Sequence, residues 1–264
     1  MRRSRKSLSR PPARGEANSA AAAGGGRRRA AAAMVSWASM SPAPERPLRL
    51  VIFDATDTPG ARARGALREG AAPRSPGLSP AWRAGALLHR IARAADATLG
   101  ASSWPEALTW AAAEAGSRGR PIASIQLWGH GGWGWMSLGP TRLDAAALAP
   151  DHPFAPLLDR VRARLAGPEA LCWLRCCSAF GNHAGQRFAE SLAARLGCRV
   201  AGHTYIIGVT QSGTRALRPG ERASWDPREG VRCNDRGEPL GALWSTRGAP
   251  STVSCFTLDL PERP

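Results

Sequence analysis

The sequence predicts an α/β domain built on an open, mostly parallel sheet with helices on both faces. Two observations carry that expectation. Short apolar runs recur at Leu48–Asp54, Ile122–Gly129 and Leu171–Cys176, with the length and composition of strands buried on both faces. Helical stretches separate them, as a crossover between parallel strands requires. The alternation of strand and helix then favours one sheet covered on two sides over separate all-α and all-β parts.

The elements follow in order. Leu48–Asp54 (LRLVIFD) opens the ordered chain, and a Gly/Pro/Arg-rich loop follows it. Ser79-Pro80 reads as an N-cap with proline in the first turn, opening a helix through about Thr98. Ser103 to Ala115 repeats this grammar with Pro105 and Glu106. Ile122–Gly129 (IASIQLWG) is the second buried strand, and Trp133–Leu138 a short hairpin strand beside it. Between Pro153 and Leu165, apolar residues at 154, 157, 158, 161 and 165 give helical spacing. Leu171–Cys176 is a strand, Gly185–Leu196 a helix, Arg199–Ile207 a strand, and Thr252–Leu258 a further strand.

Residues 1–47 are rich in Arg, Ala, Gly and Pro and lack hydrophobic periodicity, so a disordered tail is expected there, with one domain over 48–264. Gly24–Gly26 and Arg27–Arg29 interrupt the alanines that a secretory h-region would need. A start at Met34 or Met40 would remove most of this segment. No apolar run is long enough to span a bilayer. The net charge of +16 suggests a polyanion partner, but residues 1–33 hold nine basic residues and one acid, which is half of it. In the remainder arginines are scattered among acids with no basic stripe interleaved with aromatics, so no specific nucleic-acid partner is expected. Six cysteines, two of them adjacent at 176 and 177, do not fit a small disulfide framework. Reduced thiols in the cytoplasm are the simpler reading.

Two reactive side chains stand where apolar strands end. His130 lies in Trp128-Gly129-His130-Gly131-Gly132, and Cys177 in Arg175-Cys176-Cys177-Ser178-Ala179. Ligands of open α/β sheets bind beyond the carboxyl ends of the strands. A thiol, a base to take its proton and N–H donors facing the developing oxyanion are what attack on a carbonyl needs.

An apolar strand ending in His-Gly, then another ending in Cys before a small residue, resembles the caspase-like cysteine peptidases, the group of caspases, gingipains, separases and clostripain. The stretch Leu171–Gly202 is most similar to bacterial members, through Gly185-Gln186-Arg187-Phe188 after the cysteine loop. The resemblance covers roughly residues 48–215, with its strong blocks at 122–131 and 171–202. It implies His130 as general base and acid, Cys177 as nucleophile, and the Gly131 and Cys177 amides as the oxyanion hole. It implies a peptide or protein substrate and neither metal nor organic cofactor. Cys176 stands where those relatives carry glycine, which leaves two thiols to choose between. Asp54 and Asp57, at the end of the first strand, are candidates to orient His130 or to read a basic substrate side chain; as ordinary loop carboxylates they would do neither.

Other chemistries fit less well. A phosphatase loop needs Cys-x5-Arg, yet Cys177 plus six is His183 and Cys176 plus six is Asn182. His130-Gly131-Gly132 suits an esterase oxyanion loop, but no Gly-x-Ser-x-Gly elbow occurs. Cys176, Cys177, His183, Cys198 and His203 lack the paired spacing of a zinc site. His183 and His203 read as exposed loop and strand residues, and Trp133 and Trp135 as packing side chains. The alternative function is a non-catalytic module of the same fold.

Overall fold

The computed structural model describes residues 46–59 and 77–260; the expected basic tail lies almost wholly outside them. Five strands run parallel at the centre: β1 (Leu48–Asp54), β2 (Ala97–Ala101), β3 (Ile122–Trp128), β7 (Leu171–Arg175) and β8 (Arg199–His203). A sixth, β10 (Thr214–Leu217), pairs antiparallel with β8, and the order across the sheet is β10-β8-β7-β3-β1-β2. Between β3 and β7 the chain folds a small antiparallel sheet from β4 (His130–Gly132), β5 (Trp135–Leu138) and β6 (Thr141–Asp144). After β8, β9 (Thr210–Gln211) pairs with β13 (Val253–Ser254), and β11 (Val231–Cys233) with β12 (Pro239–Ala242).

Four helices pack on this sheet: α1 (Ser79–Ile91), α2 (Trp104–Arg118), α3 (Ala155–Arg162) and α4 (Asn182–Leu196). The period-2 alternation of the strands divides their side chains between two faces. Leu48, Leu50 and Ile52 of β1, with Cys172, Leu174 and Cys176 of the β7 run, join Trp104, Leu158, Phe188 and Leu192 from α2, α3 and α4 in the main core. Val51 and Phe53 face the other way and meet Ala86 of α1 and Trp128. That second face is only partly covered by a helix, and over β3 and β7 the cover is the chain after Gln211.

Several expectations need correcting. The helix opened at Ser79 stops at Ile91, where Arg93 turns with φ 55°, and Ala97–Ala101 is an edge strand beside β1. Its small residues carry no strand signature, but Gly100 lets the Phe53 ring lie against the backbone. Ser79 does not cap its helix: Leu78 holds that position, and the Ser79 hydroxyl donates to Asp54 O at 2.7 Å. The strand from Arg199 ends at His203 rather than Ile207. The expected strand at 252–258 shrinks to two residues, and these pair with β9, outside the central sheet. His203 is fully buried, not exposed, because its side chain sits under the chain that returns as β9 and β10. His183 is exposed as expected. No helix among the described residues is long and apolar enough to cross a membrane.

Candidate active site

The strand order reverses between β1 and β3, since the chain passes from β1 to β2 on one side and then to β3 on the other. In open α/β sheets the crevice beyond the strand ends at such a point is where ligands bind. His130 stands there, after β3, and its Nε2 lies 2.9 Å from Oδ2 of Asp57, which follows β1. The His130 side chain is 32% exposed and that of Asp57 only 8%. The same carboxylate oxygen accepts from Leu78 N at 2.9 Å, and the Asp57 carbonyl accepts from Ser79 N. The first turn of α1 therefore fixes Asp57. Trp82 of that helix sets its ring edge-on to the His130 ring, with centroids 5.5 Å apart. With Nε2–H directed at a carboxylate, Nδ1 is the basic nitrogen left for proton traffic.

The structure separates Asp54 from Asp57. Asp54 is buried, accepts from Thr56 N and Oγ1 through Oδ1 and from Gly139 N through Oδ2. It ties the β1 end to the loop after β5. Asp57 is the one that meets the histidine.

The adjacent thiols also part. Cys176 continues the inward set Cys172 and Leu174 and is 1% exposed in the main core, where burial raises its pKa well above the ordinary thiol value. Cys177 projects to the opposite face, is partly exposed, and its Sγ lies 3.9 Å from Ile207 O. Burial pushes the Cys177 thiol up as well. Outside the strand ladders, no carbonyl among the described residues accepts from the Cys177 amide. Directly after it Ser178 takes φ 44°, and its amide donates to Tyr205 O at 2.8 Å, so the chain turns sharply away toward α4.

Gly131 shows how close the two blocks lie. A Cβ there would stand 2.6 Å from Cys176 Sγ and 3.0 Å from Cys177 O. Only glycine allows β4 to pack against the end of β7, and so brings His130-Gly131 beside Cys176-Cys177.

Sequence reading passed over Arg175, whose signal was a charge inside an apolar strand. Arg175 is 4% exposed on the Cys177 face, its guanidinium 4.5 Å from the Trp173 ring centroid and 5.7 Å from that of Trp128. It donates to the Gln126 and Gln211 side-chain oxygens and to the carbonyls of Ser254, Cys255 and Thr257. Burial lowers its pKa to about 10. Beside it His89 and His203 are held neutral, with pKa values lowered to about 4 and about 3, by burial first and by the Arg175 charge second. Trp133, in the turn before β5, packs on Gly181, and Trp135 stacks under Arg142 at 4.6 Å. Among the described residues no cluster of three or more His, Cys, Asp or Glu is placed to hold a metal ion.

No family model, no curated protein and no solved structure matches the chain.

Proposed function

We propose that the chain is a caspase-like cysteine peptidase that hydrolyses a peptide bond through His130 and Cys177. The observation that carries the reading is the 2.9 Å contact of His130 with Asp57 at the point where the strand order reverses, next to Gly131, which packs on Cys176 and Cys177. In this reading Asp57 fixes the ring with Nδ1 unprotonated, and Nδ1 takes the Cys177 proton as sulfur attacks the carbonyl carbon. The tetrahedral oxyanion faces the amides of Cys177 and Gly131. Collapse expels the amine, which leaves with the proton held by His130, and water then hydrolyses the thioester. The substrate is a peptide or protein, and the step needs no metal or organic cofactor.

A second reading has its own support. The Cys177 thiol is covered and its pKa raised, whereas working nucleophilic cysteines have theirs lowered. A non-catalytic module of this fold would keep such a thiol permanently. Labelling the intact protein with a peptide-based thiol electrophile, then mapping the modified residue, separates the two. A single adduct at Cys177 that His130→Ala abolishes supports the peptidase; no adduct at Cys177 supports the module.

A further inference from the structure

We infer that the segment Val253–Leu258 is a latch whose carbonyls, locked onto Arg175 and Gln126, hold the loop over Cys177 closed. The inference rests on the reading of Cys177 as the reactive thiol.

The latch is attached in an unusual way. A buried guanidinium is costly unless its donors are met, and a carboxylate is the usual partner. Among the described residues Arg175 has no carboxylate partner. Its charge is met by neutral oxygens, three of them the main-chain carbonyls of Ser254, Cys255 and Thr257 at 3.2, 2.9 and 3.0 Å. Gln126 adds a fourth carbonyl, donating through Nε2 to Leu258 O at 2.8 Å. The segment's own side chains contribute little burial: Ser254 is exposed, and Phe256 is 69% exposed. It is held by polar main-chain contacts with few buried apolar ones, which is the character of a segment that opens locally.

The same contacts reach the thiol. Arg175 Nε and Nη2 hold Gln211 Oε1, and Gln211 Nε2 donates to Gly208 O. Cys255 N donates to Val209 O at 2.8 Å, and β13 pairs with β9 directly after that loop. Ile207, on the same loop, holds its carbonyl 3.9 Å from Cys177 Sγ. Release of residues 253–258 therefore frees the Val209 end of this loop, while Ile206 stays bonded to Leu243 and Ser245 as the fixed end about which the loop can lift from the thiol. The raised thiol pKa belongs to the closed state.

The test is the rate of iodoacetamide alkylation of Cys177 in the full chain, mapped by mass spectrometry and divided by the rate at exposed Cys233. Cys255→Pro removes the N–H that holds Val209, and Arg175→Gln removes most donors to the latch. Cys255→Pro should raise the ratio about tenfold, the equilibrium value of about one lost hydrogen bond, and Arg175→Gln, which removes three, at least as much. Phe256→Ala, which touches none of these bonds, should leave it unchanged. An unchanged ratio in folded Cys255→Pro overturns the latch, and that variant alone decides if Arg175→Gln fails to fold. A raised ratio without peptide turnover keeps the latch and sinks the peptidase reading. Wild-type turnover with an unchanged ratio in the variants does the reverse.

Discussion

The two faces of the central sheet are built on different principles. The face under α2, α3 and α4 is an apolar core in which Trp104, Phe188, Leu158 and Cys176 are each buried without charge. The opposite face buries Arg175, His89, His203 and Gln126, and covers them with α1 at one end and the chain after Gln211 at the other. Stability of the first is a matter of packing volume, insensitive to pH. The second depends on protonation states and hydrogen bonds, and it is the face to which Cys177 projects. One sheet thus separates an apolar core from a face of buried charge and hydrogen bonds.

The sharpest way to break that comparison is at the thiol. Cys177→Ala should abolish peptide turnover, and His130→Ala should lower the maximal rate by about two to four orders of magnitude. Both should unfold in urea at nearly the wild-type midpoint. Turnover by His130→Ala at the wild-type rate would end the dyad reading.

The converse holds on the packed face. Phe188→Ala should cost about 3–5 kcal/mol of stability, since the ring is fully buried between α4 and the sheet. Denaturant melts measure it, and a cost below about 1 kcal/mol would mean that this core relaxes freely.

Acid should act on the polar face. His89 and His203 have folded pKa values below the ordinary 6.5. The unfolded chain therefore binds protons first, and the stability these residues contribute is complete above pH 6.5 and lost as pH falls toward about 4 for His89 and about 3 for His203. For His89 the loss is on the order of 3 kcal/mol. His89→Phe should be measurably less acid-sensitive between pH 6.5 and 4.5 than wild type in urea melts; an identical slope would remove His89 from the account.

The smallest effect separates neighbours. Cys176→Ala should cost about 1–2 kcal/mol through the cavity left in the core while retaining most activity. If Cys176→Ala rather than Cys177→Ala silences the protein, the register of the site is wrong by one residue.

The strands that matter most were legible because their signal is local. LRLVIFD, IASIQLW and LCWLR are mostly apolar runs, and the structure makes each a central strand. His130 and Cys177 were legible for the same reason, as reactive residues directly after such runs. Ala97–Ala101 was not, because an edge strand of small residues gains its identity from β1 rather than from its own composition. Thr214–Leu217 and the two-residue β9 were missed likewise, and the strand expected at 252–258 came out as the two residues of β13: their pairing partners lie elsewhere in the chain.

The sequence by itself determined a sheet of buried strands and the two strand ends that carry a histidine and a cysteine. It also fixed that the two thiols face opposite sides, because Cys172, Leu174 and Cys176 alternate with Trp173, Arg175 and Cys177, and a strand sends alternate residues to opposite faces. Only the tertiary structure decided that Asp57 rather than Asp54 meets His130, since both lie at the end of β1 and the choice is made by Leu78 and Gly139 closing on one carboxylate each. Only the tertiary structure bound Arg175 to carbonyls about eighty residues away. Periodicity is fixed by backbone geometry within a few residues. A partner for a buried charge is whatever group the completed fold brings within about 3 Å, and no local pattern encodes that distance.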